Sequence, residues 1–193
     1  MRDKLVFQAG VQHSRRRFLR SATGLLLTAG TLPTLARART SIGAEKDRIL
    51  QFHNLHTGEK IRATIWAEGE YQMDELQQIN TVLRDFRTGD VHPIDRELLE
   101  MLCSLQEKVQ IAGPFNVISG YRSPATNEKL RTKSSGVAKK SFHMQGRAID
   151  INLPGCDLSS LCDAAVSLQK GGVGYYPKSN FIHVDTGRVR RWG

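Results

Sequence analysis

Residues Ala148–Leu153 read A-I-D-I-N-L, an aspartate set inside an apolar run of strand length. That position constrains the fold more than any other. An ionised carboxylate among Ala148, Ile149, Ile151 and Leu153 is costly to bury unless a partner meets it. Downstream, Phe181–Asp185 reads F-I-H-V-D, a second apolar stretch that carries His183 and Asp185 two residues apart, on one face of an extended chain. Upstream, His143 stands seven residues before Asp150 with Gly146 between them, so a loop can turn its imidazole back as the chain enters the strand. Two imidazoles and a carboxylate suit zinc, which takes roughly tetrahedral donors and keeps one position for water in catalytic sites. Each residue also has a plain reading. His143 fits an exposed loop histidine, Asp150 a strand-entry residue bonded to backbone, and His183 a satisfied core histidine. Spacing alone leaves both readings open.

The charge of the chain excludes less than it first suggests. Its formal net charge is +9, from 28 Lys/Arg against 19 Asp/Glu. Seven of those cations and one acid lie in residues 1–38, which leaves 21 against 18 for the remainder, a net of +3. The basicity belongs to the leader, and a nucleic-acid-binding function loses its main support. Residues 14–20 read S-R-R-R-F-L-R, followed by a weakly apolar run, 22–35, and by Ala36-Arg37-Ala38. Basic region, short apolar region and small-residue cleavage point are the order of a signal peptide. S-R-R-R-F-L resembles the twin-arginine (Tat) export signal, a receptor-read address. The apolar run is too short to span a ~30 Å hydrocarbon core, so no stable membrane span is expected after cleavage. The expected organisation is a signal peptide over 1–38, a polar linker over 39–48 and one domain over 49–193, located in the periplasm.

A mature chain of about 155 residues buries roughly 70% of its unfolded surface in one core. Its three cysteines, Cys103, Cys156 and Cys162, form no C-x-x-C, so a thiolate zinc site is unsupported. Cys103 falls in a helical apolar pattern and reads as a core thiol, while for Cys156 and Cys162 the sequence leaves open a bridge in an oxidising compartment or two free thiols.

Ile49–Trp66 reads as a hairpin around His56-Thr57-Gly58-Glu59, with Ile61, Ala63 and Ile65 alternating against polar neighbours. Met73, Leu76, Ile79, Leu83 and Phe86 recur at helical spacing up to Gly89, and Leu98, Leu99, Leu102, Leu105 and Val109 mark a second helix over 95–109. Further expectations are a buried strand at 115–119, a brief helix at 127–131, a loop at 132–141, a strand at 148–153, a helix at 158–168 and strands at 172–176 and 181–185. Helices come early and short strands late, which argues an α+β domain with a small antiparallel sheet carrying the site.

S-F-H-M-Q-G-R-A-I-D (141–150) resembles the S-x-H-x-x-G-x-A-x-D signature of the zinc D-Ala-D-Ala peptidases. N-L-H-T-G-E (54–59), S-G-Y-R-S-P (119–124), G-G-V-G-Y-Y-P (171–177) and F-I-H-V-D-T-G (181–187) extend the likeness, towards the murein endopeptidase K branch, over nearly all of 49–193. The resemblance implies one Zn2+ held by His143, Asp150 and His183. It also implies a peptidoglycan hydrolase acting on cross-links between stem peptides, either D-Ala–diaminopimelate or diaminopimelate–diaminopimelate. A carboxypeptidase trimming single stems and a zinc-stabilised wall-binding module without turnover are the alternatives.

Many such relatives place an acid three residues before the last histidine as general base, and here that residue is Asn180. Asp185 is the nearest carboxylate, either as proton acceptor or as the group that orients His183. Arg122 matches an arginine that contacts substrate in the related peptidases, and its fork suits a carboxylate or a carbonyl oxygen. Ser141 fits substrate binding or a stiffened loop. His56 and Glu59 fit either a cleft wall or a plain turn. Arg188, Arg190, Arg191 and Trp192 read as a solvated basic-aromatic tail.

Overall fold

The computed structural model describes residues 46–133 and 136–193, all within one compact unit. The expected signal peptide over 1–38 and residues 39–45 of the expected linker lie outside the described residues. Among the described residues no helix is long and apolar enough to cross a membrane.

Strand β1 (Arg48–Asn54) and strand β2 (Lys60–Ala67) form the expected hairpin, and a two-residue strand, β3 (Glu70–Tyr71), extends it. Arg48 is therefore the first residue of the sheet rather than the end of a linker. Helix α1 (Met73–Val82) is shorter than its apolar spacing predicts. In a continued helix the carbonyl of Leu83 would accept from Arg87. Instead it accepts from Tyr121 N at 2.8 Å, and Arg87 N donates to the Asp85 carboxylate at 2.9 Å. A tertiary contact outcompetes the last helical turn. Helix α2 (Arg96–Val109) begins where expected, because Asp95 accepts from Glu97 N, and it ends at left-handed Gln110.

Strand β4 (Phe115–Ser119) leads to helix α3 (Pro124–Arg131), which starts three residues earlier than expected with Ser123 as its cap and Pro124 in its first turn. Strand β5 (Ala148–Asn152), helix α4 (Leu158–Ser167), strand β6 (Gly172–Tyr176) and strand β7 (Phe181–Asp185) follow the sequence pattern closely. The tail does not. Arg190–Trp192 forms strand β8, parallel to β6.

The fold is α+β, as expected, but the sheet is not small. Among the described residues eight strands run in the order β3-β2-β1-β4-β5-β7-β6-β8, antiparallel except for β1–β4 and β6–β8. Leu50, Phe52, Ile65, Ile79, Leu98, Leu102, Phe115, Ile149 and Ile151 are fully buried in one core, each worth about 1.5–3 kcal/mol of transfer free energy. The three cysteines are free thiols, and burial pushes Cys103 up to about 12.

Candidate metal centre

The register of the sheet builds the site. Asp150 on β5 stands opposite His183 on β7, and Ser119 on β4 stands opposite Asp150. His143 comes from the 3-10 turn Phe142–Gln145 that precedes β5. Ser141 caps that turn, its hydroxyl oxygen accepting from His143 N at 3.3 Å. Gly146 closes it at φ 65, where a side chain would run into the Pro93 carbonyl.

Three atoms converge. His143 Nε2 lies 3.2 Å from His183 Nδ1 and 3.4 Å from Asp150 Oδ1, and His183 Nδ1 lies 2.8 Å from Asp150 Oδ1. Donors around a tetrahedral zinc at ~2.0–2.1 Å stand about 3.4 Å apart. The triangle is slightly tighter than that, and the residues fit the ion. Each imidazole is held from behind. His143 Nδ1 donates to the Gly120 carbonyl at 2.8 Å, and His183 Nε2 donates to Asp185 Oδ2 at 3.0 Å. This is the arrangement by which a metal-ligating histidine is fixed in one tautomer.

Electrostatics agree with the geometry. Burial would raise the Asp150 carboxyl, but His143 and His183 hold it well below the usual carboxylate range. Burial would depress His183, yet its hydrogen bonds to Asp150 and Asp185 push it up to about 9. Asp185 is fully buried. Its two oxygens accept from His183 Nε2, Gly187 N, Gly172 N and both terminal nitrogens of Arg190, at 2.6–3.3 Å. Those bonds outweigh the upward pull of burial and keep it ionised.

A cleft of about 460 Å3 opens over the triangle. Asp150 and Asp185 are its two lining carboxylates among the described residues. Arg122 also lines it, with Nη2 3.9 Å from Asp150 Oδ2 and 3.4 Å from Ser119 Oγ, and with its buried Nε lacking any hydrogen-bond partner among the described residues. His56 and Glu59 do not reach the cleft. His56 stacks on Phe86 at 3.8 Å, and Glu59 pairs with Arg84 at 2.8 Å.

The family model for peptidoglycan L,D-endopeptidase MepK, a branch of the zinc-dependent D-Ala-D-Ala peptidases, matches residues 42–192. The chain belongs to this peptidase family. It is 44% identical to the peptidoglycan L,D-endopeptidase MepK of Escherichia coli (strain K12) over 179 residues, 93% of this chain and 97% of that protein. It is 40% identical to the probable peptidoglycan L,D-endopeptidase MepK of Haemophilus influenzae over 183 residues, 94% of this chain and 97% of that one. The resemblance drawn from the motifs is thus borne out at the level of family.

Several residues of this cleft escaped sequence reasoning. Phe142, Tyr176, Phe181 and Trp192 form its aromatic walls, and Arg190 reaches into it. Of the expected solvated tail, Arg188 and Arg191 are exposed, whereas Arg190 and Trp192 are built into the cleft. The available signal was G-G-V-G at 171–174, since side-chain-free positions in a strand mark a close approach. A Cβ at Gly174 would come within 2.7–2.8 Å of the Trp192 ring, and one at Gly172 within 2.6 Å of the Arg190 guanidinium carbon.

Proposed function

We propose that this chain is a zinc-dependent peptidoglycan endopeptidase that hydrolyses L,D bonds in the cross-links between stem peptides. The observation that carries the reading is the donor triangle of His143 Nε2, Asp150 Oδ1 and His183 Nδ1 at the base of a cleft. The chain's likeness to L,D-endopeptidases along nearly its whole length supports the substrate. An L,D bond joins the acyl group of an L-centre to the amine of a D-centre, which is the diaminopimelate–diaminopimelate link.

His143, Asp150 and His183 would hold one zinc. When bound, the ion supplies Lewis acidity towards a carbonyl oxygen and lowers the pKa of water to ≈ 7. The protein orients its imidazoles through Gly120 O and Asp185, so that both present their free nitrogen to one point. We assign Asp185 this orienting role rather than that of proton acceptor. Its saturation by five donors and its complete burial support the assignment. Arg122 positions the stem peptide: it lines the cleft, and its planar fork suits a substrate carboxylate or carbonyl oxygen. Ser141 serves the turn. Residues 1–38 act as a twin-arginine signal that delivers the enzyme to the periplasm.

The test is incubation of purified protein of measured zinc content with defined cross-linked muropeptides, with products followed by mass spectrometry. Conversion of diaminopimelate-linked dimers to monomers, lost in His143→Ala, is expected. Release of a single terminal alanine from monomers would mean a carboxypeptidase. Binding without product at full zinc occupancy would refute the enzymatic reading.

A further inference from the structure

The tail strand enters the metal centre across a gap left by two glycines. Along one row of the sheet stand Arg190, Gly172 and Asp185, on β8, β6 and β7. Along the next stand Trp192, Gly174, His183 and Asp150. Strands two apart are roughly 9–10 Å distant, so a β8 side chain meets β7 only by lying over β6. At Gly172 and Gly174 nothing obstructs it. Arg190 crosses Gly172 and grips Asp185 at two points, Nη1–Oδ1 at 2.9 Å and Nη2–Oδ2 at 2.6 Å. Trp192 crosses Gly174, brings its ring 5.4 Å from that of His183, and donates from Nε1 to the Tyr176 hydroxyl at 2.9 Å. The Arg190 guanidinium also lies over the rings of Trp192 at 4.7 Å and Phe142 at 5.7 Å.

We propose that Arg190 is a positioning residue of the zinc centre: it locks Asp185 so that His183 keeps its proton on Nε2 and offers Nδ1 to the ion. The two-point contact leaves Asp185 Oδ2 a single orientation, facing Nε2. Without Arg190 the carboxylate retains its Gly187 and Gly172 amides on Oδ1, while Oδ2 loses its strongest partner and His183 its fixed acceptor. A planar fork does this where a lysine cannot.

The proposal rests on the zinc reading. Its test uses the full-length protein, with zinc affinity measured by competition against a chromophoric chelator and the melting midpoint of the metal-free protein measured alongside. Arg190→Gln is expected to weaken zinc binding about 10–100-fold, and Arg190→Lys, which restores charge but not the fork, to recover only part of that loss. Gly172→Ala keeps every charge and crowds Arg190 off Asp185, so it weakens zinc in the same direction. Long-range 15N NMR of zinc-loaded parent protein is expected to find His183 protonated at Nε2 and metal-bound at Nδ1. A merely structural Arg190 would lower the melting midpoint yet leave the zinc affinity of the folded protein within twofold, and that result overturns the proposal. So does a parent protein with His183 bound through Nε2, a measurement that needs no variant to fold. A parent that binds no zinc removes the metal reading itself, and the proposal with it.

Discussion

Asp85 is 1% exposed and accepts three hydrogen bonds, from Ser123 N at 2.9 Å, the Ser123 hydroxyl at 2.7 Å and Arg87 N at 2.9 Å, and the Thr126 side chain also favours its ionised form. Burial alone would raise its carboxyl, but these bonds reverse the sign and bring it from 3.8 to about 2. A drop of about 1.8 units at 1.36 kcal/mol each corresponds to about 2.5 kcal/mol of stability at neutral pH. Because the folded value is depressed, that contribution is complete above about pH 5 and fades as pH falls through 4 towards 2; about 1.3 kcal/mol remains at pH 3. In Asp85→Asn the amide nitrogen must face one of the donors, leaving a buried N–H unpaired, a cost of about 1–3 kcal/mol. We expect Asp85→Asn to lose about 2–3 kcal/mol at pH 7 by urea unfolding of metal-free protein, and the gap from parent to narrow by about half at pH 3. Comparing parent with variant cancels the acid titration of Asp150 and Asp185, which both proteins share. A pH 7 difference below about 0.5 kcal/mol, or a gap that stays constant with pH, would refute the accounting.

Arg122→Lys is expected to lower kcat/KM on cross-linked muropeptides by about 10–100-fold, the worth of a bidentate charged contact, at unchanged zinc content. Activity within threefold of parent would remove Arg122 from substrate positioning. Lysines in place of Arg15, Arg16 and Arg17 are expected to hold the chain in the cytoplasm, followed by cell fractionation and immunoblotting. Periplasmic protein in that variant would count against the twin-arginine address.

The candidate donor triangle was legible in the sequence because its strand residues sit in patterns that a bland reading strains. Asp150 is a charge in a buried strand, and His183 and Asp185 share a face of another. Helix α2 was legible at both ends because its cap and its apolar stripe are local. Helix α1 was not, since its last turn is displaced by Tyr121, nearly forty residues away. The β8 strand was hidden for a similar reason. R-R-W carries no alternation of its own, and its identity depends on parallel pairing with a strand that precedes it by almost twenty residues. Only the glycines of that partner strand recorded the contact.

Asn180, where the family resemblance implies an acid, adopts φ 53 and ψ 48 at the end of the 3-10 turn Pro177–Ser179, and its carbonyl accepts from Asn152 Nδ2 at 2.8 Å. Asparagine tolerates this left-handed geometry, and the turn aims β7 so that His183 meets Asp150 in register. Aspartate tolerates it as well, so the turn does not exclude the acid; the chain simply goes without it. The consequence is electrostatic. A divalent ion on one carboxylate and two neutral imidazoles would leave the centre at about +1, and Asp185 would not offset this because Arg190 already neutralises it at 2.6 Å. Arg122 and Lys140 on the cleft walls add to the positive field. Such a cleft favours a substrate bearing free carboxylates, as diaminopimelate cross-links do, and attraction of that kind depends on charge rather than on fork geometry. Arg122→Lys keeps the charge and removes the fork, so its loss belongs mainly in kcat, with KM moving less.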